Sequence, residues 1–175
     1  PFKNRSWLWL FHQLSFIKDL LAYDKQNSSS IGLNFSVDVI KSWWKCNKDI
    51  PFTSNVIWHD HASALRLRRI LDVFNCLFTG KHFIDGDEDF FHGLIKKHAD
   101  YLANEKYYSR GNNHGLDQTI SLFLACVSLK DQDWSVEYIK LCRERFIYEV
   151  GRMFDADGGH LENSCHYQGL GLNQL

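Results

Sequence analysis

The sequence predicts an all-α protein made of antiparallel helical hairpins. Apolar residues recur at three- and four-residue spacing through six segments of the chain, which is the period of a helix with one buried face. No segment shows the sustained two-residue alternation of a half-buried strand. The stretches between the segments are mostly short, so successive helices should pack side by side in opposite directions. The predicted helices span about 5–23, 36–46, 61–78, 90–106, 116–129 and 134–154.

The first three helices are defined by their apolar stripes and by the residues that end them. The stripe of the first helix consists of Trp7, Leu10, Leu14, Ile17 and Leu21. The Asn-Ser-Ser-Ser run at 27–30 predicts the loop that ends it. The second helix carries Val39, Ile40, Trp43 and Trp44, and Pro51 follows its end. The third carries Leu65, Ile70, Leu71, Phe74 and Leu77, and Gly80 is predicted to cap its C terminus.

The last three helices are defined in the same way. Asp87 is predicted as the N-cap of the fourth, whose stripe consists of Phe91, Leu94, Ile95, His98 and Leu102. The fifth begins near Leu116, and the sixth, which begins at Trp134, ends at the glycine-rich turn at 155–159. Three hairpins of similar length occur both in open α-solenoids and in closed α/α barrels, and periodicity does not separate the two.

Composition excludes several classes of protein. The chain has 175 residues with 45% hydrophobic and 23% charged residues, which is typical of one folded core rather than a disordered tail. The formal net charge of -1 provides no positive field for nonspecific binding of nucleic acid. No apolar run approaches the ~20 residues of a membrane span. The sequence therefore predicts a soluble protein that binds neither nucleic acid nor membrane.

The cysteines and the first residue bear on the cellular compartment. The five cysteines are widely spaced and form no CxxC pair, so neither a disulfide framework nor a zinc knuckle is indicated. The chain begins with Pro1 and shows no signal peptide, which fits either a processed chain or a piece of a longer one. The aromatic content of 15%, with 6 tryptophans, suits a helical core or a cleft that stacks sugar rings.

Polar residues collect in three segments that follow or precede helices. The segments are 58–61, which leads to Arg66; 110–115, with Asp117 after it; and 157–167. In the second segment, Gly111 and Gly115 bracket two amides and an imidazole at the start of a predicted helix. Backbone N–H groups and the helix dipole favour an anion at such a place. The alternative is that Asn112 or Asn113 only caps the helix.

The first and third segments each allow a structural and a functional interpretation. His59 and His61 flank Asp60, but no cysteine or carboxylate cluster completes a zinc site at ligand spacing. We therefore expect an ordinary junction between loop and helix there, and no metal. Arg66 is either a surface residue or a ligand for an anion, and Tyr167 in the third segment is either a packing residue or part of a site. The chain has no GxSxG, GxGxxG or P-loop pattern.

The order and spacing of these segments resemble a known family. The stretch from Trp58 to Arg66, then Asn112-Asn113-His114-Gly115, then Asp157-Gly158 followed by Glu162-x-Ser164-x-x-Tyr167 are together similar to the helical domain of the heparinase II/III-like and alginate lyase polysaccharide lyases. The upstream Ser42-Trp43-Trp44 and Asn47 are also similar to that family, so the resemblance covers nearly the whole chain.

The resemblance implies a fold for this chain and a second domain beyond it. It implies that the hairpins form part of an incomplete α/α toroid, followed in whole family members by an antiparallel β-sandwich. We expect that sandwich, and a tyrosine or histidine that it supplies to the site, to lie outside residues 1–175. The unpaired edges of a partial toroid predict exposed apolar helix faces, and with them a homodimer or marginal stability. The full-length protein is expected to be periplasmic or secreted, with the cytoplasm as the alternative.

The resemblance also implies the roles of individual residues. Asn113 and His114 match the pair that engages the uronate carboxylate, and Tyr167 matches the tyrosine that acts as general acid or base. The residues expected to bind substrate are Trp58, His61, Arg66, Asn112, Asp117, Glu162 and His166. The family often has histidine directly after the tyrosine, whereas this chain has Gln168 there, and this difference bears on substrate choice.

The implied reaction is β-elimination on an acidic polysaccharide. A base removes the C5 proton of a uronic acid, the C4–O bond breaks, and an unsaturated sugar remains. Hydrogen-bond donors that neutralise the carboxylate would stabilise the charge that develops, and the scheme needs no metal or cofactor. Two alternatives remain: a uronyl C5-epimerase that uses the same site, and a helical binding module with no chemistry, in which Asn113, His114 and Tyr167 would lie apart.

Overall fold

The computed structural model describes residues 4–80 and 86–153, and within these ranges the protein consists of seven α-helices with no strand. The helices are α1 (Arg5–Gln13), α2 (Ile17–Asn27), α3 (Ile31–Asn47), α4 (Asp60–Gly80), α5 (Asp87–Ala103), α6 (Asn113–Ser128) and α7 (Asp133–Met153), with a short 3₁₀ helix at Glu105–Tyr107. The predicted all-α class is confirmed. The closed or open curvature of the hairpins stays a prediction.

The first predicted helix is in fact two helices. The backbone at Leu14 is left-handed, with φ of 56°, and this residue ends α1 before α2 begins at Ile17. Both apolar side chains are buried, with 1% and 0% of their surface exposed. A left-handed non-glycine residue costs roughly 1–2 kcal/mol, and burying one such side chain contributes about 1.5–3 kcal/mol. The break is therefore stabilised by the burial that it permits.

The same break makes part of the first apolar stripe wrong. Trp7 and Leu10 are 44% and 52% exposed, whereas His12 and Gln13 on the same helix are buried. This face of α1 packs mainly against α4, and the His12 side chain accepts a hydrogen bond from the indole N–H of Trp43 there.

The starts of α3, α5 and α6 also differ from the prediction, the last by three residues. The third helix starts at Ile31 because the carboxylate of Asp24, on α2, accepts hydrogen bonds from the backbone N–H groups of Gly32 and Leu33 at 3.0 and 2.6 Å. Because this cap comes from another helix, the sequence around the start of α3 does not indicate it. Asp87 is not the N-cap of α5; it is the first helical residue and pairs with Lys41 on α3.

Helix α4 is the centre of the arrangement. It packs against α1, α5 and α6 and, less extensively, against α2 and α3. The successive helices α2 and α3, α4 and α5, and α6 and α7 also pack against each other, in agreement with the predicted hairpins. Helices α6 and α7 leave apolar side chains exposed, namely Phe123, Leu124, Val127, Val136, Ile139, Phe146 and Ile147. The expected exposed apolar faces are therefore present, while the homodimer stays a prediction.

Nothing in the described part of the chain combines the helix length and the apolar character that crossing a bilayer requires.

Candidate functional site

The N terminus of α6 carries the second polar segment. Asn112 is the N-cap: its side-chain oxygen accepts hydrogen bonds from the backbone N–H groups of His114 and Gly115 at 2.9 and 3.2 Å. The capping interpretation is thus confirmed for Asn112 itself. Asn113 is the first helical residue and is half-buried. Its side chain makes no hydrogen bond within the described residues, so its amide is available to a ligand.

Helix α7 fixes the loop that precedes α6. The buried carboxylate of Glu149 accepts hydrogen bonds from the backbone N–H of Gly111 at 3.0 and 3.1 Å and from the hydroxyl of Tyr108. Gly111 has a φ of 81°, a left-handed conformation that favours glycine. A Cβ at Gly115 would collide with the carbonyl oxygen of Ser109 and would lie 2.8 Å from Glu149 Oε1. The structure therefore explains why glycine occupies both of these positions.

The imidazole of His114 is held by a carboxylate from α4. His114 Nδ1 lies 3.1 Å from Asp60 Oδ2, and Asp60 Oδ1 accepts from the backbone N–H of His61 at 2.7 Å. The hydroxyl of Ser109 also donates to Asp60. The side chain of His114 is 35% exposed, and Nε2 makes no hydrogen bond within the described ranges. This nitrogen is free to meet a ligand.

The pair alters the protonation of both groups. Burial alone would raise the pKa of Asp60, but the hydrogen bonds from His114, Ser109 and the His61 backbone, together with the close approach of His59, hold it well below its usual range. The hydrogen bond to Asp60 raises the pKa of His114, against the opposing effect of burial, and the negative charges of Asp60 and Asp117 raise it further. Asp60 therefore shifts His114 towards its imidazolium form.

A second carboxylate and imidazole pair lies beside the first. His61 Nε2 lies 2.8 Å from Asp117 Oδ2, and Arg68 Nη2 donates to Asp117 Oδ1 at 2.6 Å. The His61 ring stacks on the His114 ring, with centroids 4.3 Å apart and planes inclined at 23°. Burial would raise the pKa of Asp117, but the bond from His61 and the charge of Arg68 lower it. Two of the predicted polar segments thus form one cluster.

The two histidines of the HxH pattern turn towards different carboxylates. His59 Nδ1 lies 2.7 Å from Asp60 Oδ1, close enough for an ion pair, although its direction does not suit a hydrogen bond. His61 binds Asp117 instead. Across residues 4–80 and 86–153, no group of three or more His, Cys, Asp or Glu side chains is arranged to hold a metal ion.

A cleft of about 360 Å³ opens beside the cluster. It is lined by Ser6, Leu8, Trp9, Asn55, Val56, His59 and His114. The ring of Trp9 lies 5.6 Å from that of His61, centroid to centroid. Clefts of about 300–1,000 Å³ with mostly apolar walls and a few convergent polar groups are typical of ligand sites.

Two residues predicted to bind substrate are in the core instead. Trp58 is 2% exposed; its indole N–H donates to the carbonyl of Ile50 at 3.0 Å and its ring contacts Phe52 and Tyr101. The prediction that Trp58 binds substrate is wrong, because its ring is packed against other aromatic rings in the core.

Arg66 is fully buried, and its predicted contact with a uronate is also wrong. Its guanidinium donates to His98 Nε2 at 2.9 Å, to the carbonyl of His12 at 2.8 Å and to Ser63 Oγ at 3.1 Å. It also lies over the ring of Trp43, 4.2 Å from the centroid. Burial lowers the pKa of Arg66 to about 9, so it is still charged at neutral pH.

Sequence reasoning missed several residues of the cluster and cleft, among them Asp60, Arg68 and Trp9. Asp60 lies between the two histidines that drew attention, and a carboxylate in the first turn of a helix was the available signal. Trp9 does not belong to the apolar stripe of its own helix, and a large aromatic residue off the stripe was a signal for a second role. The predicted residues Glu162, His166 and Tyr167 lie outside the described residues.

Comparison with known proteins supplies the family. The family model described as Heparinase II/III N-terminus matches residues 1–175, the whole chain. Comparisons with curated proteins and with solved structures found no significant match. The sequence resemblance and the family match agree over the same residues, and the chain therefore belongs to the heparinase II/III N-terminal domain family, a domain family of polysaccharide lyases.

Proposed function

We propose that this chain provides the carboxylate-binding half of the active site of a lyase that cleaves uronate-containing polysaccharides by β-elimination. The observation that carries the proposal is the placement of His114: its Nδ1 is bound to Asp60 at 3.1 Å, and the same side chain lines the cleft beside the N terminus of α6. Family membership supports the reaction class.

The N terminus of α6, where His114 lines the cleft, offers three kinds of donor to one carboxylate. These are the imidazolium of His114, the free amide of Asn113 and the positive end of the α6 dipole. The C5 proton of a uronate is poorly acidic because the adjacent carboxylate is already negative. Donors that are fixed in advance around this carboxylate stabilise the extra negative charge in the transition state, and removing one such donor typically costs ~10²–10³ in rate.

The proton transfers are assigned to Tyr167, which matches the family's catalytic tyrosine. Its phenolate removes the C5 proton, the electron pair forms the C4–C5 double bond, and the C4–O4 bond breaks. The tyrosine then returns the proton to the leaving O4, so that atoms and charge balance without a metal or cofactor. An unperturbed phenol has a pKa near ~10, so this role requires hydrogen-bond donors or positive charge near the hydroxyl.

The cleft is suited to hold a sugar ring next to these donors. Trp9 supplies an aromatic surface, and its ring lies beside His61, which stacks on His114. Aromatic rings pack against the C–H faces of sugars while polar groups hold the substituents. We assign the stacking role to Trp9, in place of the buried Trp58.

The test is an elimination assay on the full-length protein with a panel of uronate polymers that includes alginate and heparan-type chains. We expect new ultraviolet absorbance from an unsaturated uronate with at least one polymer. Tyr167→Phe should abolish it and His114→Ala should lower kcat/KM by ~10²–10³. His92→Ala is the control, because this histidine lies on α5, outside the cleft.

Three outcomes would contradict the proposal. The first is the absence of an unsaturated product with every polymer, and the second is a product that forms equally well with Tyr167→Phe and His114→Ala. The third is uptake of solvent deuterium at C5 without chain cleavage, which would indicate an epimerase. Tight binding of a polymer without any reaction would indicate the non-catalytic helical module.

A further inference from the structure

The two stacked imidazoles have carboxylate partners in different electrostatic surroundings. Asp117, the partner of His61, is also bound by the guanidinium of Arg68 at 2.6 Å and is 5% exposed in its side chain. Asp60, the partner of His114, has no lysine or arginine within ion-pair distance among the described residues. The negative charge of Asp60 is therefore balanced by imidazoles alone, whereas that of Asp117 is largely balanced by Arg68.

Because the two rings stack, the state in which one imidazole is protonated is more favourable than the state in which both are. The ring centroids are 4.3 Å apart, and two positive charges at that distance in a half-buried site repel each other strongly. The N terminus of α6 also opposes a cation at His114, because the positive end of the helix dipole lies there. A histidine in this position would be neutral unless a negative charge held it.

We propose that Asp60 is a positioning residue that places the proton of the stacked pair on His114 and directs Nε2–H into the cleft. This proposal rests on the proposed function for its catalytic consequence, but not for its charge assignment. The geometry that supports it is the bond from His114 Nδ1 to Asp60 at 3.1 Å, together with the Ser109 hydroxyl and the His61 backbone N–H that fix the carboxylate.

Among the described residues, the charged and titratable groups that face His114 act in both directions. They are Asp60 and His61 from α4, His59 from the preceding loop, and Asp117 from α6 itself. The two carboxylates favour the imidazolium, and the two histidines and the helix dipole oppose it. Within the described residues, Asp60 binds His114 directly and pairs with no arginine, whereas Asp117 pairs with Arg68.

The assignment has a consequence for ligand recognition. An imidazolium donates Nε2–H to an ionised carboxylate with a charge-assisted bond, whereas a neutral imidazole bound through Nδ1–H presents an acceptor at Nε2. With a neutral His114, the cleft would therefore repel a carboxylate oxygen. Loss of the Asp60 charge should therefore convert a site for an ionised uronate into one that binds it poorly at neutral pH.

The first experiment measures the proton directly in this chain. Long-range ¹⁵N–¹H spectra of the histidine rings, recorded through a pH titration, give the pKa and tautomer of each ring for the wild type, Asp60→Asn and Asp117→Asn. We expect the wild-type His114 ring to carry the proton of the stacked pair, and Asp60→Asn to lower the His114 pKa by about one pH unit or more. Asp117→Asn should change the His114 pKa less than Asp60→Asn does.

The result that would overturn the proposal needs no variant. A wild-type spectrum in which His61 carries the proton while His114 is neutral at pH 7 contradicts it, even if Asp60→Asn does not fold. With a folded variant, an unchanged His114 titration contradicts it equally. Ser109→Ala removes a bond to Asp60 but keeps its charge, so it should shift the His114 pKa less than Asp60→Asn does.

The second experiment connects the charge to catalysis in the full-length protein. Asp60→Asn should move the alkaline limb of the kcat/KM profile to lower pH by the same amount as the His114 pKa in the spectra. Activity should be partly restored on the acid side of the new limb. A uniform loss of rate at every pH would show a merely structural role and would contradict the positioning role. If the protein is not a lyase, the spectra still decide where the proton lies, so the two failures are distinguishable.

Discussion

The imidazole of His61 lies on that of His114, with the ring centroids 4.3 Å apart, although the two residues come from different helices. This contact exists because α4 and α6 pack along each other and start at the same end of the molecule, where Asp60 bridges to His114. Two segments that lie more than fifty residues apart in the sequence therefore form one cluster. This cluster forms part of the wall of the cleft.

Replacing Trp9 by alanine should weaken substrate binding without changing the chemical step. Loss of an aromatic stacking surface costs about 1–2 kcal/mol, or roughly five- to thirtyfold in KM. Steady-state kinetics on the most active polymer would measure it. Trp134→Ala is the matched control, since this tryptophan packs on Tyr138 of α7 and should leave KM unchanged. An unaltered KM in Trp9→Ala would remove Trp9 from the site.

Adding a methyl group at two glycines should have opposite effects on stability. Gly115→Ala puts a Cβ against the Ser109 carbonyl and the Glu149 carboxylate, so it should destabilise the fold by about 1–3 kcal/mol. Gly93→Ala meets nothing within 4 Å in the middle of α5 and should stabilise by roughly 0.5–1 kcal/mol. Urea denaturation measures the free energy of unfolding of both variants. Equal changes in the two variants would mean that the loop before α6 can shift freely.

Arg66→Ala should destabilise the protein by about 3–5 kcal/mol, because it leaves a cavity and unpaired hydrogen-bond acceptors. Arg66→Met keeps most of the volume and removes a buried charge that has no carboxylate partner among the described residues, so it should cost less. Thermal unfolding separates the two. Arg143→Ala, at an exposed position on α7, should change stability by no more than about 0.5 kcal/mol.

Activity provides a second check on Arg66. Folded molecules of the Met variant should retain the wild-type KM, because the guanidinium contacts His12, Ser63 and His98 rather than the cleft. A large rise in KM with unchanged stability would revive a role for Arg66 in substrate binding.

Acid should destabilise the protein through His12. Burial and the nearby charge of Arg66 lower the pKa of His12 from 6.5 to about 4. The unfolded chain therefore binds more protons between these values, and stability falls as the pH drops from about 6.5 to about 4. The loss from this residue is on the order of 2–3 kcal/mol at pH 4.5.

The variant His12→Asn isolates this effect. It keeps an acceptor for the indole N–H of Trp43, which bonds His12 Nδ1 at 3.1 Å, but it does not ionise. The difference in unfolding free energy between pH 7 and pH 4.5 should shrink by about 2–3 kcal/mol in this variant. His92→Asn, on the partly exposed face of α5, should keep the wild-type difference. An unchanged difference in His12→Asn would contradict the burial argument.

Periodicity predicted the helices but not their breaks. The apolar stripes of α4 and α5 are local features of the sequence. They therefore predicted the ends of α4 to within about two residues and those of α5 to within three. The division at Leu14 could not be predicted, because it requires a left-handed leucine whose cost is offset only by burial in the finished fold. The cap of α3 by Asp24 comes from a neighbouring helix and has no local signal either.

The site was predicted in part for a similar reason. The polar residues at the α6 N terminus stand out in the sequence because nothing in a helix core requires them. Trp58 and Arg66 stand out equally, but their burial depends on how α4 packs, which the sequence pattern does not reveal. The partnership of Asp60 with His114 depends on the same packing, so sequence spacing could identify the two residues but not the bond between them.

The most direct test of the lyase proposal is a crystal structure of the full-length protein with a bound uronate oligosaccharide, using Tyr167→Phe to prevent turnover. We expect one sugar carboxylate within hydrogen-bond distance of the Asn113 amide and His114 Nε2, with the residue 167 ring facing C5 of the same sugar. An oligosaccharide bound away from His114, or residue 167 on the opposite side of α6, would contradict it.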